Sequence, residues 1–247
     1  MQAGSELAAA PLQKMGLLET RGYTVLPLAG AKVLNTDPHV SNPDTPWHRV
    51  QLGRATWDAL VSGTYTYDLP QRYHMNPVGS VMRNGALDTL GLDRSELRGG
   101  VAILNDGSIV MGRAAGNSEP EIQAAFGDLD RVVTEFMGGG ALLVEYGQPV
   151  SSHDLREVQG FSSGSGGIEA TQLQRSDHIV MGIRHGAAYT LIGNGRSGRE
   201  IRADLLDAGF STVVKLAGGS AAYYRDRTAT YLQGSNSVGF GLNLRRY

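Results

Sequence analysis

The sequence predicts an α+β fold, a mixed and mainly antiparallel sheet with two main helices packed on it. Three observations lead there. Glycine is abundant, 34 of 247 residues, with no collagen-like period, and short apolar alternations recur between turn signals, as in a chain of many short strands. Ser118 with Glu121, and Ser197 with Glu200, each form the spacing of a capping box, so two helix starts are marked. A β-branched, apolar run over 212–216 follows the second of them and leads into Gly218 and Gly219, as a buried strand ending in a sharp bend would.

Composition bounds the function. A hydrophobic share of 41% and a charged share of 19% suffice for a real core, in one large domain or two small ones. A net charge of −2 gives no global field for nucleic acid or for an anionic membrane, so neither is expected as a partner. Without cysteine there are no disulfides and no thiolate metal sites. No apolar run reaches spanning length, and the start at Met1 lacks the basic and apolar regions of a signal peptide. A cytoplasmic start is the expectation, although a processed chain would look the same.

In chain order, residues 5–20 carry a short helical pattern (Ser5 as cap, then Leu7, Leu12 and Met15) broken by Pro11. Residues 23–28 read as an edge strand, because Pro27 cannot donate to a ladder. Residues 35–47 hold three of the nine prolines and read as loop. These make residues 1–56 an N-terminal arm with edge elements, ahead of a main domain over 57–247. Residues 57–67 pass from apolar to alternating Thr and Tyr, and a strand after Pro77 ends in an Asn84-Gly85 turn. Residues 101–111 form the clearest hairpin, around Asn105-Asp106-Gly107, with residues suited to a type I′ turn.

The strongest helix spans 119–137. Pro120 sits harmlessly in its first turn, and Ile122, Phe126, Leu129, Val133 and Phe136 make one apolar stripe before Gly138, Gly139 and Gly140 stop it. A strand over 141–146 and a turn at Gly147 follow. Residues 151–169 are polar and glycine-rich and read as a surface loop; a phosphate cradle would need a following helix and a Lys-Ser/Thr pair.

The organising stretch is 178–222. It reads as strand, His185-Gly186 turn, strand, Gly193-Asn194-Gly195 turn, helix, strand and glycine bend. On the helix Ile201, Leu205 and Ala208 share a face, and Gly209 ends it. Strands over 222–227, 228–232 and 238–244 close the chain. A glycine bend at the carboxyl end of a buried strand is a common place for a site.

This order of elements, with Leu216-Ala217-Gly218-Gly219-Ser220, resembles the phosphodiester glycosidase family, whose usual string is Leu-Asp-Gly-Gly-Gly-Ser. Leu143-Val144-Glu145-Tyr146-Gly147 is similar to its Leu-Val-x-x-Gly strand, and Ser62-Gly63-Thr64-Tyr65-Thr66 to its Asn-Gly-Gly-Tyr-Phe string. The resemblance covers residues 57–245. It departs from the family at the chemistry: Ser62 stands for the Asn, His178 for an Arg, Ala217 for the Asp and Ser220 for the third Gly.

The resemblance implies a domain that binds or cleaves a sugar phosphate or glycan. Glycoside cleavage needs a proton donor and a carboxylate, water or metal to meet the sugar cation, and a phosphate leaving group needs positive charge to hold it. The candidate catalytic residues are His178, Ser62 and Glu145; the candidate ligand-binding residues are Gly218, Gly219, Ser220, Tyr65 and Arg175. His178 is open to two roles, as acid, base or phosphate donor or as a strand-end histidine bonded to backbone. With the family's three polar positions substituted, at Ser62, His178 and Ala217, hydrolysis is expected to be degenerate. Two alternatives stay open: a structural or assembly module, such as a phage virion or tail component that runs as a homo-oligomer, and a small phosphate-ligand binder. No cofactor is implied, and the six histidines show no metal-ligand spacing.

Overall fold

The computed structural model describes residues 15–35, 59–62, 66–67, 76–91, 96–161, 168–219, 222–226, 230–233 and 240–246. The strands are β1 (Tyr23–Asn35), β2 (Ala59–Ser62), β3 (Thr66–Tyr67), β4 (Asn76–Pro77), β5 (Val81–Arg83), β6 (Ala86–Thr89), β7 (Arg98–Leu104), β8 (Ile109–Ala114), β9 (Val133–Glu145), β10 (Gln148–Pro149), β11 (Ser176–Arg184), β12 (Ala187–Arg196), β13 (Thr212–Gly218), β14 (Tyr223–Asp226), β15 (Thr230–Gln233) and β16 (Phe240–Arg246). The helices are α1 (Glu119–Phe126), α2 (Ser152–Glu157), α3 (Ile168–Gln172) and α4 (Gly198–Asp207), and residues 15–20 are helical ahead of β1.

Fourteen strands form one sheet in the order β15-β14-β2-β16-β1-β12-β11-β13-β9-β5-β6, with β7, β8 and β10 joined through β9; β3 and β4 pair separately. The described pairs run antiparallel, which makes this the α+β, mainly antiparallel architecture that the alternating pattern predicts. β1 lies inside the sheet. Its Pro27 half pairs with β12 (Pro27 opposite Tyr189), and pairing to β16 begins only at Leu28, so the proline meets just one described neighbour.

The main core gathers Val180, Leu191, Val214, Leu216 and Leu142 beneath Ile201 and Leu205 of α4. α4 is built as its signals require. Glu200 N–H donates to Ser197 Oγ at 3.3 Å, and Ser197 N–H donates back to Glu200 Oε2 at 2.8 Å. Gly209 ends the helix at φ +87°. A second cluster packs Ile122 and Phe126 of α1 on Met82, Ala102, Val133 and Phe136.

The helix expected over 119–137 is a correction. α1 stops at Phe126, where Gly127 leaves the helix with extended backbone (φ −85°, ψ 172°); a Cβ there would sit 2.8 Å from Gln123 O and 3.0 Å from Arg131 O. Asp128 then folds the chain back, accepting from Arg131 N–H at 2.9 Å, and Leu129 is fully exposed. Val133 and Phe136 belong to β9, so the apparent stripe joins a helix face to a strand. Gly138, Gly139 and Gly140 do not stop a helix; they carry β9 from one neighbour to another. β7 occupies one edge of β9. On the other, β13 pairs with residues 141–144 and β5 with 136–137. At the changeover a Cβ on Gly79 would meet Gly139 N at 2.1 Å, and one on Gly140 would meet Val214 Cγ1 at 2.5 Å, so both crossings require glycine.

Three smaller expectations also change. The Asn105-Asp106-Gly107 turn has only Gly107 at positive φ, so it is not type I′; Asn84-Gly85, Tyr146-Gly147 and His185-Gly186, positive at both residues, have that signature. Gly193-Asn194-Gly195 does not interrupt β12, which runs on to Arg196. Residues 152–157 are helical under a Ser151 cap rather than loop; Asn35, the first residue of the loop predicted over 35–47, ends β1, and residues 36–47 and 162–167 lie outside the described residues. Among the described residues no helix is long and apolar enough to cross a membrane.

Candidate functional site

The site grows out of a slip in the β11–β13 ladder. Met181 pairs with Val214 and Val180 with Lys215, then the register shifts and His178 meets Gly218. In a regular strand residues 215 and 218 point to opposite faces; an irregularity between them re-aims side chains. Here the two converge. A Cβ on Gly218 would lie 2.5 Å from His178 Nδ1, 3.0 Å from its Cε1 and 3.4 Å from Lys215 Cε. Gly218 is therefore glycine because an imidazole rests on it.

His178 is 1% exposed and Lys215 2%. His178 Nε2 lies 3.2 Å from Ser176 Oγ, and Nδ1 is buried with no hydrogen-bond partner. Burial, and then the Lys215 charge, push the imidazole down to about 3, against a smaller upward pull from the backbone of Arg196 and Gln174. The ring is neutral at pH 7. Beyond Gly218 the chain bends at Gly219, φ +57°, whose carbonyl accepts from Ala222 N–H at 3.0 Å. It enters β14, where Tyr224 pairs with Val61, so the Ser62 end of β2 lies at the Tyr223 end of β14, the end that follows the bend. Ser62 is placed here by its backbone, opposite Gly241; Tyr65 and Ser220 lie outside the described residues.

The remaining two candidates stand elsewhere. Glu145 follows Val144, which pairs with Val213, five residues along β13 from Gly218 or roughly 16 Å at strand rise. It is held by Arg113, whose Nη2 donates at 2.8 Å, while Arg113 Nη1 donates to Asp154 at 3.0 Å. Burial alone would lower the Arg113 pKa; these two carboxylates outweigh it and raise it. Arg175, 65% exposed along its side chain, donates through Nε to Glu200 Oε2 at 3.1 Å and through Nη2 to Oε1. Arg175 first, and then the Ser197 bonds, bring Glu200 down to about 2. Asp177 is occupied by the Gly195 N–H at 3.1 Å.

His178, Gly218 and Gly219 thus come together and Lys215 joins them unannounced. Its signal was available: one lysine inside a β-branched run is a cation in a buried strand, which a fold keeps only with a reason. Among the described residues no three His, Asp or Glu side chains cluster as metal ligands.

No family model and no curated protein matches the sequence. Solved structures do. The zebrafish N-acetylglucosamine-1-phosphodiester alpha-N-acetylglucosaminidase catalytic domain, auto-inhibited by its pro-peptide, aligns with a TM-score of 0.66 at 15% identity over 88% of this chain and 73% of that one. The fold resembles that of a phosphodiester-glycosidase catalytic domain. An exported protein of Burkholderia pseudomallei K96243 aligns at 0.60 and 11% identity, over 91% of this chain and 71% of that one. A hypothetical protein from Synechocystis aligns at 0.55 and 14%, over 92% of this chain and 57% of its own length. At such identities the likeness is one of fold, and chemistry rests on the residues themselves.

Proposed function

We propose that the chain binds a sugar phosphate or related glycan at the Gly218–Gly219 bend, with His178 and Lys215 as polar contacts, and does not hydrolyse it at enzymatic rates. The observation that carries this is the convergence of an imidazole and a lysine on one glycine at the end of a buried strand. The zebrafish domain of similar fold acts on an N-acetylglucosamine phosphodiester, which supports the ligand class. Against turnover stand Ala217, where the resembling family carries Asp, and the engagement of Glu145 by Arg113 at the far end of β13.

The test is calorimetry with a methyl phosphodiester of N-acetylglucosamine, alongside an assay for released sugar. The wild type is expected to bind without release. Gly218→Ala is expected to lose at least about tenfold in affinity, because its Cβ would displace the imidazole. Sustained sugar release would replace binding by catalysis. No binding, with a defined oligomer in solution, would favour an assembly role.

A further inference from the structure

We infer that Arg199 and Arg202 form a second binding site, for a phosphate-class anion, on the face that α4 turns toward the start of α2. The inference is independent of the site proposed above and uses none of its residues.

The two arginines stand three residues apart on α4 and so share a helix face. Arg202 is half-buried, and its Nη1 donates to the Val150 carbonyl, just ahead of the Ser151 cap of α2. Arg199 is exposed. Burial, and then the Arg199 charge, lower the Arg202 pKa, so the two cations stand close enough to oppose each other. This placement works against the helix twice. Like charges at such a spacing destabilise it. Arg199 also lies in the first turn, where the helix's own N–H groups favour anions. Arg21, Arg83, Arg113, Arg131, Arg175 and Arg196 each meet a carboxylate. Among the described residues Arg199 and Arg202 meet none. The neighbouring carboxylates are taken: Glu200 by Arg175 and Ser197, Asp204 by Arg21, Tyr23 and Arg196, and Asp154 by Arg113. Glu157 stands at the far end of α2. Neither arginine has a buried guanidinium nitrogen left unpartnered, so the unused donors reach solvent. Two adjacent guanidinium forks of this kind suit the oxygens and the double charge of a phosphate group.

Calorimetry of the full chain with inorganic phosphate, at an ionic strength held fixed with sodium chloride, tests this. Saturable binding is expected, at least about tenfold weaker in Arg199→Gln and in Arg202→Gln, since each removes charge-assisted hydrogen bonds. Arg202→Lys is expected to lose less than Arg202→Gln, because the charge stays while the fork goes. Lys215→Met and Gly218→Ala are expected to bind phosphate as the wild type does, which separates this site from the Gly218 bend. Thermal unfolding without phosphate keeps the result from being a folding defect: Arg199→Gln relieves the repulsion and is expected to melt no lower than the wild type. Glucose 6-phosphate bound more tightly than inorganic phosphate would support the site with the anion as part of a larger ligand; equal affinity would support it with the free anion. The absence of saturable binding overturns the inference, as does binding that Arg199→Gln leaves unchanged. A lower melting temperature in Arg199→Gln also overturns it, because the arginine would then already serve the fold.

Discussion

The two ends of β13 hold their polar groups in opposite ways. Beside Val213, Arg113 bridges Glu145 and Asp154, and Asp154 also accepts from Gln159 Nε2 at 3.0 Å. Charge meets opposite charge there, and the network ties β8, β9 and α2 together. At Gly218 a lysine and a neutral histidine share one buried corner, and the histidine keeps an unpartnered nitrogen. The first end accounts for itself as structure. The second leaves one buried nitrogen of His178 without a hydrogen-bond partner, and so it draws the functional argument.

Acid should produce the largest effect and should act through the Gly218 end. The folded pKa of His178, about 3, lies below the ordinary 6.5, so below pH 6.5 the unfolded chain takes up a proton that the folded chain refuses. Its contribution is complete above pH 6.5 and is lost as pH falls toward 3. Between pH 7 and pH 4 this amounts to about 3 kcal/mol at ~1.4 kcal/mol per unit. Urea unfolding at both pH values measures it. The difference between wild type and His178→Gln isolates it from the carboxylates, Glu135 among them, whose pKa burial raises. Equal acid sensitivity in the two proteins would erase the contrast between the ends.

Arg113→Leu should come next, at the other end. It leaves two half-buried carboxylates facing each other without their cation, at a cost of about 2 kcal/mol, below the fully buried range because the pair is partly solvated. Ligand affinity should not change. A loss of affinity in this variant would return Glu145 to the site.

Lys215→Met sharpens the comparison within the Gly218 end. It keeps most of the side-chain volume and removes the charge that, after burial, holds the imidazole down. The acid sensitivity of the variant should shrink by about 1 kcal/mol over the same pH interval, read from the same urea curves. An unchanged slope would mean that burial alone sets the state of His178.

What the sequence made legible follows from the range of the interactions. α4 was readable because its start lies within four residues and its end at Gly209 is equally local. The 119–137 pattern misleads because its apolar spacing of four and three runs straight across Gly127 and Asp128, which break the helix. The role of Gly138 to Gly140 was hidden, since it depends on Gly79 and on two strands far along the chain. At the site, His178 and Gly218 are legible through the family-like strings, and Lys215 is not, because its meaning depends on a slipped register. Glu145 and Arg175 stand out in the sequence by charge, and each has a partner outside the local window: Arg113, 32 residues away, and Glu200, 25 residues away.

Arg175 supplies the smallest predicted effect and the cleanest check on that last point. Its side chain is solvent-exposed and engages the carboxylate that also closes the capping box of α4. Glu200 keeps the Ser197 N–H and hydroxyl bonds when the arginine is removed, so the helix start survives. Solvent and salt already screen a pair of this kind, and its loss should barely register in thermal unfolding. Arg175→Ala should change affinity for the N-acetylglucosamine phosphodiester by less than about twofold, because a screened surface charge acts weakly on a buried site. A tenfold loss would require the arginine to leave Glu200 and reach the ligand, and would extend the site across the start of β11.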